Sequence, residues 1–281
     1  MILFKTIRPL QTKLEKLRNN KLKIGFVPTM GALHTGHLSL IKEAEKQCDI
    51  VVCSIFVNPT QFNDKNDFDK YPVTIEQDIF LLETNKTGIL FLPSVNEIYP
   101  QGTAHLQHFE LGYLENILEG KYRPGHFQGV CNVVHRLLNI VHPGILFLGR
   151  KDYQQYLVVK KMMQDFYPSI NIKAVDTARE TSSLAMSSRN MRLSEAARTK
   201  ATAIYQSLQF IQQHITERDV DWLKERAKEK ILQGGFDKID YVEICDTETL
   251  LPVTVAGPGK KLIALAAAFI EDVRLIDNIL L

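Results

Sequence analysis

The sequence is poor in cysteine and in net charge, and each shortage excludes a class of protein. Its four cysteines are scattered along 281 residues and form neither a disulfide framework nor a metal-type pair. We therefore expect reduced thiols in a cytoplasmic protein. The formal net charge is only +2, which argues against a nucleic-acid groove and against binding to an anionic membrane surface.

Long apolar runs are also missing. No stretch reaches the roughly 20 apolar residues of a membrane span. The nearest run, 262–270, is short and is followed at once by Glu271 and Asp272. The N-terminus has no secretory apolar region of sufficient length. Hydrophobic residues make up 45% and charged residues 23% of the chain, the balance of an ordinary globular protein with one large or two modest domains.

The first part of the chain alternates short apolar runs with helical patterns, which is typical of βαβ units around a parallel sheet. The predicted strands are 22–29, 50–57, 89–92, 145–148 and 170–176, and the predicted helices lie near 38–47, 74–84, 127–141 and 153–166. Polar, turn-rich residues at 63–72 predict a mobile loop. Ligands of such sheets bind at the carboxyl ends of the strands.

The pattern changes after Arg192. Ser194 is a predicted N-cap. Helices near 196–214 and 220–232 are followed by strand-like runs at 241–245, 261–269 and 273–280. Helices first and strands later indicate a smaller α+β domain. We therefore predict an α/β domain over residues 1–177 and a small α+β domain over 178–281.

One segment indicates nucleotide chemistry most clearly. Residues 28–37 read Pro-Thr-Met-Gly-Ala-Leu-His-Thr-Gly-His and lie between a predicted strand and a predicted helix. A helix N-terminus offers unpaired N–H groups to phosphate. Gly31 and Gly36 let the backbone approach a ligand, and His34 and His37 can donate to a leaving phosphoryl group.

Two other interpretations of His34 and His37 stay open. A metal pair would need a third ligand, and no cysteine or acid is placed by the sequence to supply it. The two histidines could also be ordinary surface or cap residues.

Polar residues follow two further strands. Asn58 and Gln61 offer amides suited to a hydroxyl-bearing carboxylate, or they form a plain Asn-Pro turn. Lys151 offers a point charge to a polyphosphate. Asp152 can bond a ribose hydroxyl, cap the next helix, or both, and Gln155 lies one turn into that helix. A solvated cap is the alternative for Lys151 and Asp152.

A fourth segment, 185–190, places Ser187, Ser188 and Arg189 beside successive N–H groups, as in an anion nest, unless it is a solvated linker. Because these segments lie at strand ends or at the domain junction, we expect them to converge on one crevice. His126 is interpreted as a helix-start residue rather than a ligand.

Together the segments resemble the pantothenate synthetases, also called pantoate–β-alanine ligases, over nearly the whole chain. The matching motifs are 28–37, 56–62, 151–155 and 185–190. The His-x-Gly-His turn alone is shared across a superfamily of nucleotidyl transferases, and the other three motifs narrow the assignment.

The resemblance implies a Rossmann-like N-terminal domain that binds nucleotide and pantoate, a small α+β lid domain, and a homodimer. It implies ATP and Mg²⁺, with (R)-pantoate and β-alanine as the other substrates and no nucleic acid or membrane partner. Pantoate would attack the α-phosphorus of ATP to give pantoyl adenylate and pyrophosphate, and β-alanine would then displace AMP.

The resemblance also implies residue roles. His37 is the proton donor, His34 lies on the phosphates, Lys151 is the main cation and Arg189 steadies pyrophosphate. Gln61 and Gln155 hold pantoate, and Gln61 also lies near β-alanine. The implied ATP-binding residues are Met30, Gly31, Ala32, Leu33, His34, Thr35, Gly36, His37, Gly149, Arg150, Lys151, Asp152, Ala178 through its backbone, Met186, Ser187, Ser188 and Arg189. Which residues contact Mg²⁺ is left open.

The chain departs from the family pattern at two places. Arg150 stands where the family commonly has Glu, and Thr181-Ser182-Ser183 stands where it commonly has Pro-Asp-Gly. The first change adds charge beside the implied ATP site, and the second removes a glycine from a loop.

Two competing functions remain at this stage. Another nucleotidyl transferase would share the histidine turn but should lack the paired amides of Gln61 and Gln155. A tRNA synthetase fragment or nucleic-acid-binding module should show a strongly basic face.

Overall fold

The computed structural model describes residues 1–257 and 259–281. The chain divides into two compact units. The first unit comprises residues 1–150 and 155–176, and the second comprises residues 151–154 and 177–281. Within the described ranges, no helix combines the length and apolar character needed to cross a membrane.

The first unit is built on a six-stranded sheet of parallel strands in the order β1-β4-β3-β2-β5-β6. The strands are β1 (Ile2–Phe4), β2 (Ile24–Thr29), β3 (Ile50–Ile55), β4 (Ile89–Phe91), β5 (Ile145–Gly149) and β6 (Asn171–Val175). The central strands are mostly apolar, as expected where both faces of a parallel sheet are covered. The predicted α/β class is confirmed.

Eight helices accompany this sheet in the described part of the chain. They are α1 (Ile7–Asn19), α2 (Thr35–Glu45), α3 (Lys65–Asp69), α4 (Ile75–Thr84), α5 (Val95–Ile98), α6 (Glu119–Tyr122), α7 (His126–Val141) and α8 (Tyr153–Phe166). Short 3-10 helices cover Pro59–Gln61, Gly112–Glu115 and Arg150–Asp152. Residues from α2, α4 and the central strands share one buried apolar cluster.

The loop predicted at 63–72 was wrong in part, because α3 lies within it. Asp64 caps this helix by accepting a hydrogen bond from the backbone N–H of Asn66 at 2.8 Å. The ring of Phe62 also packs edge-on against Phe68 and Tyr71, at centroid distances of 5.2 and 5.7 Å. A cap and three aromatic rings therefore order a stretch whose composition is that of a loop.

The second unit packs helices against a three-stranded antiparallel sheet in the order β7-β8-β9. Its strands are β7 (Lys238–Asp246), β8 (Leu262–Ile270) and β9 (Val273–Leu280), and its helices are α9 (Glu195–Lys200), α10 (Ala203–His214) and α11 (Val220–Gln233). Alternate small residues of β8 face the helices in one buried cluster. Ser194 caps α9 as predicted, accepting from the N–H of Ala197 at 3.1 Å.

The single helix predicted at 196–214 is broken between α9 and α10. The hydroxyl of Thr202 donates to the carbonyl oxygen of Thr199 at 2.8 Å. Such a side-chain bond competes with the backbone ladder of a helix. The apolar spacing continues across the break, so the sequence pattern alone did not reveal it.

Candidate active site

A strained turn links β2 to α2, and a buried carboxylate holds it. Gly31 has φ +83° and Ala32 has φ +47°, a left-handed conformation that costs a residue with a Cβ about 1–2 kcal/mol. Asp78 accepts hydrogen bonds from the N–H groups of Ala32 and Leu33 at 2.9 and 2.8 Å, and from the hydroxyl of Thr74 at 3.0 Å. Only 1% of Asp78 is exposed. Its hydrogen bonds therefore offset the strain of the turn.

The two histidines of the motif form the N-terminal cap of α2, which begins at Thr35. Nδ1 of His34 accepts the N–H of Gly36 at 3.1 Å, and Nδ1 of His37 accepts the N–H of His34 at 3.3 Å. The interpretation of both histidines as cap residues is therefore confirmed. Capping uses Nδ1 of each ring, and both imidazoles lie at this helix N-terminus, where backbone N–H groups favour an anionic ligand.

The second motif meets the first at the carboxyl ends of β2 and β3. Nε2 of Gln61 donates to Sδ of Met30 at 2.9 Å, and Oε1 of Gln61 accepts from Nδ2 of Asn58 at 3.2 Å. Asn58 is fully buried and accepts the hydroxyl of Tyr99 at 2.8 Å. Burial raises the pKa of Tyr99, and the hydrogen bond with Thr60 opposes part of that shift. The raised pKa keeps the phenol a neutral donor.

Close packing of α7 fixes the same segment from behind. A Cβ on Gly129 would lie 2.1 Å from the carbonyl oxygen of Thr60, so only glycine fits there. Nδ1 of His126 lies 2.8 Å from the carbonyl oxygen of Gln61, and its Nε2 lies 3.2 Å from Arg123. His126 begins α7, as predicted, and is only 5% exposed. It also supports Gln61, a contact that the sequence did not reveal.

The third motif is divided between the two units. Gly149 ends β5, so it lies at the same carboxyl edge of the parallel sheet as the first two motifs, and Gln155 lies in the first turn of α8. The guanidinium of Arg150 forms an ion pair with Asp176, just beyond β6. The extra cation of this chain therefore has an anionic neighbour.

In the second unit, Nζ of Lys151 lies 3.4 Å from Oδ1 of Asp152, and the Lys151 side chain is 17% exposed. The fourth motif closes a hairpin, in which the N–H of Met186 donates to the carbonyl of Ala178 at 2.9 Å. Ser187 accepts the N–H of Arg189 at 3.2 Å and caps a 3-10 helix over Ser188–Arg192. The Ser187 hydroxyl therefore takes up the N–H of Arg189, and the anion-nest interpretation stays a prediction.

The structure brings the first two motifs into contact. Met30 and Gln61 are in contact in the first unit, whereas Lys151 and the Ala178–Arg189 segment belong to the second. Asp78, Asp277 and Asn278 were not predicted from the sequence. A signal existed for each: Asp78 falls on the apolar face of its predicted helix, and Asp277 and Asn278 interrupt an apolar strand.

A parallel sheet with a His-x-Gly-His turn at its carboxyl edge defines a nucleotide-binding α/β protein of the nucleotidyl-transferase type. The chain belongs to the pantoate-beta-alanine ligase family, whose model matches residues 2–280. Members of this family are enzymes, so the chain is a ligase.

Individual members of the family are similar to this chain over nearly their whole length. A pantothenate synthetase from Fervidobacterium nodosum is 44% identical over 100% of this chain and 99% of its own. A crystal structure of pantothenate synthetase from Thermus thermophilus superposes with a TM-score of 0.92 at 38% identity, covering 99% of each chain. A pantoate-beta-alanine ligase from Francisella tularensis, complexed with beta-gamma ATP and beta-alanine, has a TM-score of 0.82 at 38% identity and covers 100% of this chain and 97% of its own.

Proposed function

We propose that this chain condenses (R)-pantoate with β-alanine to give pantothenate, with ATP converted to AMP and pyrophosphate. The observation that carries the proposal is the family match over residues 2–280, which includes all four motifs. The solved relative that holds a form of ATP together with β-alanine supports two of the substrates.

In the first step, a carboxylate oxygen of pantoate attacks the α-phosphorus of ATP. A new O–P bond forms, the bond to the β-phosphate oxygen breaks, and pyrophosphate leaves. The attack brings an anion to a polyanion, so positive groups must reduce the repulsion. We assign Lys151 and Arg189 to this task, and His34 and His37 to the phosphates.

In the second step, the amine of β-alanine attacks the acyl carbon of pantoyl adenylate. A C–N bond forms, the C–O bond to the phosphate breaks, AMP leaves and the amine loses a proton. We assign Gln61 and Gln155 to pantoate, with Gln61 also near β-alanine. The contact of Gln61 with Met30 supports a shared site, because it joins the acid-binding amide to the nucleotide-binding turn.

Further residues are assigned to the nucleotide on the family resemblance alone. They are the turn at 30–37, Gly149, Arg150, Lys151, Asp152, the backbone of Ala178 and the segment 186–189. We keep the corresponding domain proposal: residues 1–177 bind nucleotide and pantoate, and residues 178–281 form the lid.

Mg²⁺ would enter with the nucleotide. No group of three His, Cys, Asp or Glu side chains suited to a metal ion occurs in residues 1–257 and 259–281. Mg²⁺ commonly keeps several waters and binds through substrate phosphates. We therefore propose that Mg²⁺ is held through the phosphates of ATP, where it would neutralise phosphate charge during the attack.

We also propose a cytoplasmic location and a homodimer. The four cysteines are all unpaired, which supports a cytoplasmic location. A homodimer is expected from the family resemblance, and light scattering would measure twice the mass of one chain.

Pyrophosphate exchange into ATP tests the function directly. We expect exchange that requires pantoate and does not require β-alanine, and AMP release that requires both. Exchange that depends on a phosphorylated substrate instead of pantoate would identify another nucleotidyl transferase. A purified, folded chain that exchanges with neither would overturn the proposal.

A further inference from the structure

Two adjacent residues of β9, Asp277 and Asn278, each hold one of the nucleotide segments of the second unit. Adjacent side chains of a strand point to opposite faces of the sheet. Asp277 pairs in register with Ala266, and Asn278 pairs with Leu265. Only 2% of Asp277 and 4% of Asn278 are exposed. Two polar side chains this deeply buried require strong partners.

Asn278 holds the segment of Lys151. Its Nδ2 donates to the carbonyl oxygen of Lys151 at 2.7 Å, across 127 residues of sequence. The same residue pairs with β8 through its backbone, so the amide is fixed to the sheet. The backbone of the main candidate cation is therefore attached to a strand rather than left as a free loop.

Asp277 holds the other segment through Arg179. Its two carboxylate oxygens accept from Nη1 and Nη2 of Arg179 at 2.6 and 2.9 Å, a bidentate pair with a defined geometry. Nη1 also donates to the carbonyl of Ser183 at 3.2 Å, and the guanidinium stacks 3.5 Å from the ring centre of Tyr205. Arg179 is thereby locked at the base of the hairpin.

That hairpin carries the fourth motif. Arg179 forms an antiparallel bridge with Ala185, and its neighbour Ala178 accepts the N–H of Met186 at 2.9 Å. Fixing Arg179 therefore fixes the backbone on both sides of the hairpin, from Ala178 to the segment that begins at Met186.

We propose that Asp277 and Asn278 are positioning residues that set the spacing between Lys151 and the Ala178–Arg189 segment before ATP binds. This inference rests on the proposed function. Neither residue needs to touch the nucleotide. Because the two segments are attached to neighbouring residues of one strand, ATP binding would not have to order them separately, and the entropic cost of binding falls.

The test is calorimetric binding of ATP and of pantoate to the full chain, with AMP formation measured in parallel. Asn278→Leu keeps the approximate size of the side chain and removes the donor to Lys151. The matched control is Gln212→Leu, because Gln212 donates to the carbonyl of Leu280 on the same strand at 2.7 Å but holds no nucleotide segment. Asp277→Asn is measured as a second variant, so that the result does not depend on the folding of one protein.

We expect Asn278→Leu to weaken ATP binding roughly threefold to tenfold, the range of one net hydrogen bond, with pantoate binding within about twofold of wild type. Asp277→Asn should weaken ATP binding in the same selective way, and Gln212→Leu should leave it unchanged. Folded variants with lower thermal stability but wild-type ATP affinity would overturn the inference, as would equal weakening of both ligands.

Measurements on the wild-type protein distinguish failure of the positioning role from failure of the proposed function. If it binds ATP and forms AMP with pantoate and β-alanine while the variants behave like it, only the positioning role fails. If the wild-type protein shows no pantoate-dependent reaction, the proposed function itself fails.

Discussion

The imidazole of His37 accepts a hydrogen bond from the backbone N–H of His34 through Nδ1, at 3.3 Å. A ring nitrogen that accepts an N–H bond carries no proton, so the neutral ring must carry its proton on Nε2. The ring centres of the two histidines are 4.0 Å apart. The cap therefore sets the tautomer of the proposed proton donor and places a second imidazole beside it.

Removal of His37 or Lys151 should reduce catalysis far more than stability. We expect His37→Ala and Lys151→Ala each to lower turnover about a hundredfold or more, since one well-placed donor contributes roughly 3–4 kcal/mol to the barrier. His37→Ala also removes a cap, which costs about 1 kcal/mol of stability. Steady-state rates and thermal unfolding measure the two effects separately.

The exposed residues His108 and Lys160 provide matched controls, and alanine at either position should leave turnover unchanged. Near-normal turnover in both His37→Ala and Lys151→Ala would remove the assigned roles.

Gln61→Ala should discriminate between the substrates. An amide matched to a carboxylate and a hydroxyl is lost, so we expect the KM for pantoate to rise far more than the KM for ATP. The control is Gln47→Ala, because Gln47 bonds to Glu43 at the end of α2 and has no assigned ligand. Equal losses for pantoate and ATP would count against the assignment.

Replacement of Ser183 by glycine should increase the stability of the protein. It has φ +76°, in the left-handed region, at the position where the family commonly carries glycine. Ser183→Gly relieves a penalty of about 1–2 kcal/mol, and the greater freedom of glycine in the unfolded chain takes back about 0.5–1 kcal/mol. We expect a net gain, measured as a higher urea midpoint. The neighbouring Ser182 lies outside this region, so Ser182→Gly should lower the midpoint, and a gain at Ser182 instead would refute the argument.

Acidification should destabilise the protein through His135. Burial, followed by the nearby Arg136, lowers the pKa of His135 from its ordinary 6.5. Tyr167 also donates to the His135 carbonyl at 2.8 Å and lies 2.9 Å from its Nδ1. Below pH 6.5 the unfolded chain takes up the proton more readily than the native chain, so stability falls as the pH decreases.

His135→Gln should therefore make the decline of the melting temperature below pH 6.5 shallower. The decline should not vanish, because burial and Arg18 lower the pKa of His142 as well. The exposed His105 gives the control, and His105→Gln should leave the slope as it is in wild type. An unchanged slope in His135→Gln would contradict the linkage.

Local periodicity was sufficient for several of the longer elements, but the 13-residue helix α1 was not predicted. The predicted helix at 153–166 and the predicted strand at 273–280 coincide with α8 and β9. It was insufficient for β1, which has only three residues, and for α3, whose stability depends on a cap and on aromatic contacts. Elements this short contain too few residues for a period to be recognised.

The site shows the same division. The motif residues could be read from the sequence because three of the motifs follow strand ends and the fourth lies near the predicted domain junction. Their supports could not be located: Asp78 lies 46 residues from Ala32, and Asn278 lies 127 residues from Lys151. The sequence can mark a buried acid as unusual, but its partner depends on how strands and helices assemble.

Isotope transfer tests the central claim most directly. Pantoate labelled with ¹⁸O in both carboxylate oxygens is incubated with the enzyme, ATP and β-alanine, and the products are analysed by mass spectrometry. If the carboxylate attacks the α-phosphorus, one labelled oxygen remains on phosphorus when AMP leaves, so AMP carries one ¹⁸O and pyrophosphate carries none. Unlabelled AMP, with ¹⁸O found in pyrophosphate or in inorganic phosphate, would contradict the adenylate mechanism.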